Sequence, residues 1–234
     1  MNSAVSAIKG EANPLGFSKV SSAIVVLVDG LGYRQLEQVA GHAPTLWKNS
    51  KPIKSAFPAT TSNNIKSFAT GLMPCDHGFL GYRLRHQQGV SNLLSDMDKF
   101  DISEFSSVDN IPEMEHGVDI STVSMGEYEH SGFSKLTMGG SNFVAAETIE
   151  DRFKKALEIT KNPNQLVYLY IPELDKTGHK QGWGSDLWLS YLEQVDSELR
   201  RVASAGIGLV LISDHGMVNT TEKLQVHLDQ HIEA

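Results

Sequence analysis

Aspartate and histidine residues follow three short apolar runs of the sequence, and both residue types are common metal ligands. They are Asp29 after the first run, Asp175 and His179 after the second, and Asp214 and His215 after the third. In open α/β sheets, ligands bind beyond the carboxyl ends of the strands, so these side chains are expected to meet at one edge. Carboxylates placed close together repel one another unless a cation neutralises them. Without thiolate ligands, the set suits zinc, manganese or iron, and two ions about 3.5–4 Å apart suit phosphoryl transfer.

Each of these residues also has a simpler interpretation. Asp29 is compatible with a turn, Asp214 with the exit of a strand, and His179 with an exposed surface position. The metal-centre hypothesis depends on finding all five side chains at equivalent strand ends, which turn chemistry does not explain.

A hydroxyl group suited to nucleophilic attack lies in the segment SAFPATTSNNIKSFATG, residues 55–71. Thr60, Thr61 and Ser62 come between Pro58 and an apolar segment with helical spacing. A hydroxyl is therefore expected at a helix N-terminus, where free backbone N–H groups and the helix dipole favour an anion such as phosphate. An ordinary helix cap is the alternative, and the metal-ligand pattern favours the nucleophile.

Three apolar runs predict the strands that position these residues. Residues 23–28, 166–171 and 207–212 are short, apolar and followed by polar clusters, as in strands buried on both faces. Between the last two, apolar residues from Leu187 to Val202 recur every three or four positions and predict a crossover helix. Another helix is predicted around Phe153. This order predicts a doubly wound α/β domain with a mostly parallel sheet and helices on both faces.

Composition excludes several classes of protein. The 234 residues contain 20 Lys and Arg against 28 Asp and Glu, a net charge of −8, and no basic run suited to a nucleic-acid duplex. The single cysteine, Cys75, forms no internal disulfide. Neither a signal sequence nor a membrane-spanning apolar stretch is recognisable. We therefore expect a cytoplasmic protein without membrane partners.

We expect residues 1–234 to form a single catalytic domain that carries an acidic insertion around residues 86–140. Seven Asp and Glu residues lie between positions 92 and 116, among few apolar residues. Such a charge run could bind a cation, but it is more typical of a solvent-facing loop.

The combination of motifs resembles the alkaline phosphatase superfamily, and within it the nucleotide pyrophosphatase/phosphodiesterase group. The resemblance covers most of the chain and is carried by motifs in a specific order. These are VDGLG with Asp29, FPATTSNN with Thr61, ATGLMPCDHG at residues 69–78, IPELDKTGH with Asp175 and His179, and SDHGM with Asp214 and His215.

This resemblance implies residue roles as well as a fold of the alkaline phosphatase type. Thr61 corresponds to the covalent nucleophile and, with Asp29, Asp214 and His215, to the ligands of one zinc ion. Asp175 and His179 correspond to the first ligands of a second zinc ion. The implied reaction is displacement through a phosphothreonine, followed by hydrolysis, on a small phosphorylated and nucleotide-like substrate.

Two features depart from the family pattern. The group usually presents an asparagine shortly after the HG of the third motif, where it helps to bind a phosphate oxygen, and Tyr82 stands there in this chain. We predict that Tyr82 binds substrate through its hydroxyl, with a core aromatic as the alternative. The family's last zinc histidine lies well beyond SDHG, and neither His227 nor His231 matches its position. We interpret these two as surface residues, and expect the C-terminal part of the fold to be missing and the second metal position to lack a ligand.

Two other functions remain open from the sequence. The same scaffold supports phosphomonoesterases and phosphonate hydrolases, which share the metal motifs. A catalytically silent fragment that only binds nucleotides or metal is the other alternative, because of the missing ligand.

Overall fold

The computed structural model describes residues 1–86, 89–93, 95–96 and 108–221. One sheet consists of β1 (Ala23–Val28), β4 (Asp119–Ser124), β5 (Asn142–Ala145), β6 (Gln165–Ile171) and β7 (Gly208–Ile212), and a separate hairpin pairs β2 (Arg83–His86) with β3 (Gly89–Asn92). The five strands of the sheet are parallel and lie in the order β5-β4-β6-β1-β7. His227, His231 and the middle of the predicted acidic insertion lie outside the described residues.

Helices connect the strands along the chain. The α-helices are α1 (Asn2–Lys9), α2 (Tyr33–Gln38), α3 (Pro44–Asn49), α4 (Thr61–Thr70), α5 (Pro74–His77), α6 (Gly132–Met138), α7 (Ile149–Ile159), α8 (Glu173–Gln181) and α9 (Asp186–Ala203). Local signals set several of their ends. The Thr148 hydroxyl accepts a hydrogen bond from the Asp151 N–H at the start of α7, and Gly71 ends α4 in the left-handed conformation.

Both faces of the sheet are covered. On β1, Ile24 and Val26 pack into a core with Phe153 of α7 and Val195 of α9, whereas Leu27 faces Ile65 of α4 on the other side. All six residues of β1 are buried, which explains why its sequence is continuously apolar instead of alternating. The doubly wound α/β fold expected from the sequence is confirmed.

The expected insertion around residues 86–140 contains part of the main sheet. Strand β4 lies inside that range and pairs with β6 from Asp119 opposite Gln165 to Val123 opposite Leu169. Its residues Ile120 and Val123 are buried, and polar residues between them gave the strand no continuous apolar run. The acidic composition of the neighbouring segment therefore concealed a core strand.

Candidate active site

The candidate residues meet because three adjacent strands end at the same level. Val28 of β1 lies opposite Ile171 of β6, and Leu27 lies opposite Ile212 of β7. Asp29 directly follows β1, Asp214 lies two residues after the end of β7, and α8 begins two residues after the end of β6. The shared register brings residues from three distant parts of the sequence to one edge of the sheet.

Asp29, Thr61 and His215 form the centre of this site. Thr61 Oγ1 lies 3.0 Å from His215 Nε2 and 3.5 Å from Asp29 Oδ1, and His215 Nε2 lies 3.4 Å from Asp29 Oδ1. His215 Nδ1 lies 3.0 Å from the carbonyl oxygen of Gly216. A proton on Nδ1 satisfies that carbonyl and leaves the Nε2 lone pair directed at the site.

The other two carboxylates surround this centre. Asp214 Oδ1 accepts hydrogen bonds from the backbone N–H groups of Gly30 and His215, at 3.2 and 2.9 Å. Asp214 Oδ2 and Asp175 Oδ1 are buried and receive no hydrogen bond from the described part of the chain. Asp175 Oδ1 lies 3.5 Å from Nε2 of His179, whose side chain is 72% exposed. Burial of such carboxylate oxygens is costly unless a positively charged partner neutralises them.

Burial raises the pKa values of two of these carboxyl groups. Burial, followed by the charges of Asp214 and Asp175, raises the pKa of Asp29 well above its usual range. Burial also raises the pKa of Asp214 to about 6. One oxygen each of Asp29 and Asp175 and one nitrogen of His215 lie within 4.8 Å of one another. This donor set, with its unsatisfied oxygens, fits a divalent cation that accepts carboxylate and imidazole ligands.

Glycine is required in the loop after β1, where it closely approaches Asp175 and the loop after β7. Gly30 has φ +73°, and a Cβ there would lie 3.1 Å from Asp175 Oδ1. A Cβ on Gly32 would lie 2.9 Å from the Cα of Gly216. Gln35 fastens these two loops, because its Oε1 accepts hydrogen bonds from the N–H groups of Gly32 and Met217, at 2.9 and 3.0 Å. No sequence pattern identified Gln35 as a site residue.

Thr61 is the first residue of α4, and local hydrogen bonds fix the chain that enters this helix. Asn63 Nδ2 donates to the carbonyl of Pro58 at 2.6 Å, and Asn64 Oδ1 accepts from the N–H of Ala56 at 2.8 Å. The first N–H groups of an α-helix have no acceptor within the helix. The Thr61 hydroxyl is therefore placed beside backbone donors suited to an anion.

Tyr82 reaches the same hydroxyl from the opposite side. Its phenolic oxygen donates to Thr61 Oγ1 at 2.9 Å. Burial raises the pKa of Tyr82 above its ordinary value, so the phenol stays protonated at neutral pH. The residue that stands in the place of the family's asparagine thus brings a hydrogen-bond donor to Thr61.

A cavity of about 290 Å³ opens next to Thr61, between α6 and the ends of β4 and β6. Aromatic rings and hydroxyl groups line it together. The rings include those of Tyr128, Phe133 and Phe143, and the hydroxyls include those of Ser124, Ser131 and Ser134. The sequence did not identify this wall, because most of these residues lie in the range 86–140 that was expected to be an insertion.

Aromatic residues near the second metal motif divide between cavity and core. Tyr168 and Tyr170 line the cavity. Trp188 is fully buried in the core and contacts Trp183, with ring centroids 6.3 Å apart, and neither lines the cavity. The tryptophans therefore serve packing.

A wider cleft of about 660 Å³ lies on the other side of Tyr82. It is bordered by His179 and His215 and by the segment from Gly216 to Thr220. Tyr82 and Asp175 line both spaces. Thr61 itself lines the smaller and more enclosed cavity, and the wider cleft is bordered by its neighbour Thr60.

Comparisons with known proteins identify the family. The model of type I phosphodiesterases/nucleotide pyrophosphatases matches residues 23–234. Ectonucleotide pyrophosphatase/phosphodiesterase family member 1 of Homo sapiens is 23% identical over 249 residues, which cover 94% of this chain and 26% of that protein. An uncharacterized pyrophosphatase/phosphodiesterase of Schizosaccharomyces pombe is 25% identical over 231 residues, covering 89% of this chain and 47% of that protein. This chain spans less than half the length of these curated relatives.

Solved structures show the same fold. Murine ectonucleotide pyrophosphatase/phosphodiesterase 5 superimposes with a TM-score of 0.69 at 23% identity, over 90% of this chain and 61% of that chain. An inactive variant of the murine protein in complex with AMP superimposes with a TM-score of 0.68 at 21% identity. Among the described residues, no helix is both long and apolar enough to span a bilayer. The match from residue 23 onward, the parallel sheet and the motifs at its edge place the chain in the type I phosphodiesterase/nucleotide pyrophosphatase family of the alkaline phosphatase superfamily.

Proposed function

We propose that this protein hydrolyses phosphodiester or pyrophosphate bonds of nucleotide-like substrates, with Thr61 as the nucleophile. The observation that carries this proposal is the position of the Thr61 hydroxyl. It lies at the start of a helix, accepts from Tyr82 at 2.9 Å, and lies 3.0 Å from the His215 ring nitrogen. A hydroxyl that serves only as a helix cap would have no need of these two partners.

The same residues support a division of roles around two divalent metal ions, for which zinc is the proposed metal. Asp29, Thr61, Asp214 and His215 would hold one ion, and Asp175 with His179 would begin the second position. When bound, such ions supply positive charge for the phosphoryl oxygens and lower the pKa of coordinated hydroxyl groups.

The reaction follows from what surrounds Thr61. When Asp29 and His215 hold an ion, the Thr61 hydroxyl would lose its proton to water, because the adjacent positive charge lowers its pKa. Attack forms a bond between Thr61 Oγ1 and phosphorus and breaks the bond from phosphorus to the leaving oxygen, which takes a proton from water. Tyr82 donates a hydrogen bond to a phosphoryl oxygen in this step. Water then hydrolyses the phosphothreonine and restores the hydroxyl.

The two spaces beside Thr61 suit the two halves of a diester. The enclosed cavity offers aromatic rings for the face of a base and hydroxyl groups for its polar edge, as a nucleoside requires. Lys176 lies at its rim, over the Tyr128 ring at 4.9 Å and in contact with Glu127. The open cleft leaves room for the second substituent, which a monoester lacks.

Comparison of two chromogenic substrates tests this proposal. Purified protein loaded with Zn²⁺ is expected to hydrolyse bis-p-nitrophenyl phosphate with a higher kcat/KM than p-nitrophenyl phosphate, and excess chelator should abolish both activities. The reverse preference would favour the phosphomonoesterase alternative. Tight binding of Zn²⁺ without turnover of either compound would indicate the catalytically silent alternative.

A further inference from the structure

The carboxylate of Asp29 is held from two sides. Oδ1 faces the site, 3.5 Å from Thr61 Oγ1 and 3.4 Å from His215 Nε2. Oδ2 points away from them and accepts a hydrogen bond of 2.5 Å from the hydroxyl of Tyr170. The Tyr170 hydroxyl therefore binds Oδ2 of Asp29, and Oδ1 remains directed at Thr61 and His215.

Tyr170 is well suited to hold this orientation. It lies on β6, opposite Leu27 of β1, so two paired strands fix the distance between its ring and Asp29. The ring stacks on that of Tyr168 at 6.3 Å and meets the edge of Tyr128 at 5.8 Å. These ring contacts and the strand pairing hold the phenol beside the carboxylate.

Without the hydrogen bond from Tyr170, the Asp29 carboxylate would be free to adopt other orientations. The carboxylate is buried, and Asp175 and Asp214 repel it. Rotation about the bond to its carboxyl group would move Oδ1 away from Thr61 and His215. The hydrogen bond from Tyr170 opposes this rotation, since it would have to break first.

We propose that Tyr170 is a positioning residue that fixes Asp29 in the orientation required to bind a divalent cation. The inference rests on the proposed function, in which Asp29 is a metal ligand. Hydrogen bonds to a ligand from outside the metal's own coordination sphere commonly change metal affinity by about 10- to 100-fold. Tyr170 makes its only described hydrogen bond to this ligand.

A Tyr170→Phe substitution separates this role from packing, because phenylalanine keeps the ring between Tyr168 and Tyr128 and removes only the hydroxyl. Tyr191→Phe on α9 is the matched control, since it removes a hydroxyl far from the site. Isothermal titration with Zn²⁺ measures metal affinity, and the Tm of the metal-free proteins measures folding.

We expect Tyr170→Phe to bind Zn²⁺ about 10- to 100-fold more weakly than the wild type, with a metal-free Tm close to that of Tyr191→Phe. An unchanged Zn²⁺ affinity would overturn the inference while leaving the proposed function intact. A lower affinity accompanied by a clearly lower metal-free Tm would also overturn it, because the hydroxyl would then be structural. A wild-type protein that binds no Zn²⁺ would contradict both the inference and the proposed function.

Discussion

At the scale of single residues, the hydroxyl of Thr61 lies in a directed chain of hydrogen bonds. Tyr82 donates to it, and it lies beside the unprotonated nitrogen of His215. Thr60, its neighbour, is the residue that precedes the helix, and its hydroxyl lies 3.3 Å from that of Ser62. The two adjacent threonines therefore have different surroundings, so Thr60 serves as a control for substitution of Thr61.

Thr61→Ala is expected to lower kcat on the order of 10³-fold or more, because it removes the atom that forms the covalent intermediate. Thr60→Ala should cost much less, since its hydroxyl contacts that of Ser62 and has no described contact with His215 or Asp29. Steady-state kinetics on bis-p-nitrophenyl phosphate compare the two variants. Losses of equal size would show that Thr61 is not the nucleophile.

Tyr82→Phe is expected to lower kcat by about 10²-fold, as loss of one hydrogen bond to a developing phosphoryl charge commonly does. The ring remains, so Zn²⁺ affinity should stay within about twofold of the wild type. Titration calorimetry and kinetics on the same preparation provide both values. If kcat is unchanged, Tyr82 is a packing residue and does not bind substrate.

Sequence reasoning identified residues that stand at strand ends and missed those that hold them. Asp29 and Asp214 follow continuous apolar runs, so their positions were predictable from local pattern. The contacts of Tyr170 with Asp29 and of Gln35 with Met217 were not predictable, because these partners lie 141 and 182 residues apart along the chain. Such contacts depend on the order of the strands in the sheet, and the periodicity of apolar residues does not specify the strand order.

At the scale of secondary structure, the strongest apolar patterns predicted elements well. The crossover helix expected from Leu187 to Val202 is α9, Asp186–Ala203, and the first strand is Ala23–Val28 as expected. Strand β4 was missed because Ser121 and Thr122 interrupt its apolar residues. Both are buried, and Thr122 is satisfied by a 2.7 Å hydrogen bond to Ser141. Serine and threonine residues whose hydroxyls are hydrogen-bonded can be buried in the core, although they interrupt the apolar pattern of the sequence.

The contact between α4 and α5 contains a buried histidine that should make stability depend on pH. His77 Nδ1 accepts from the Phe79 N–H at 3.1 Å, and Nε2 lies 2.8 Å from the Ser67 hydroxyl. Burial, together with the charge of Lys66, lowers the pKa of His77 from 6.5 to about 4. The unfolded chain therefore binds more protons than the folded one between these pH values, and this contribution to stability is lost as the pH falls from about 6.5 to about 4.

His77→Gln is therefore expected to destabilise the protein at pH 7.5 and to do so less at pH 4.5. Urea denaturation of the metal-free proteins gives the free energy of unfolding at each pH. Comparison with the wild type cancels the contributions of Asp29 and Asp214, which both proteins share. His42→Gln, at an exposed side-chain contact with Glu193, is the control. A stability difference that is the same at both pH values would contradict the assignment.

At the scale of the whole molecule, the two proposed metal positions are unequal within the described residues. The first has four candidate ligands, whereas the second has Asp175 and the largely exposed His179. Catalytic zinc usually takes three protein ligands and water. Zn²⁺ titration should therefore reveal one tight and one weak class of site.

His179→Ala is expected to remove the weak class and leave the tight class unchanged, and His42→Ala should change neither. Calorimetry at neutral pH, where imidazoles are free to coordinate, is the measurement. Two tight sites of equal affinity in the wild-type chain would show that a further residue completes the second position.

The parallel order of the strands also determines when the site forms during folding. Gly30 and Asp214 are in contact although 184 residues separate them, and β1 pairs with β6 and β7, both of which follow it by a long stretch of chain. Contacts of such high sequence separation form slowly. Because Asp214 and His215, two of the proposed ligands, follow β7, a divalent ion would meet them only after that strand has joined the sheet. Bound metal should therefore slow unfolding of the native protein much more than it accelerates refolding.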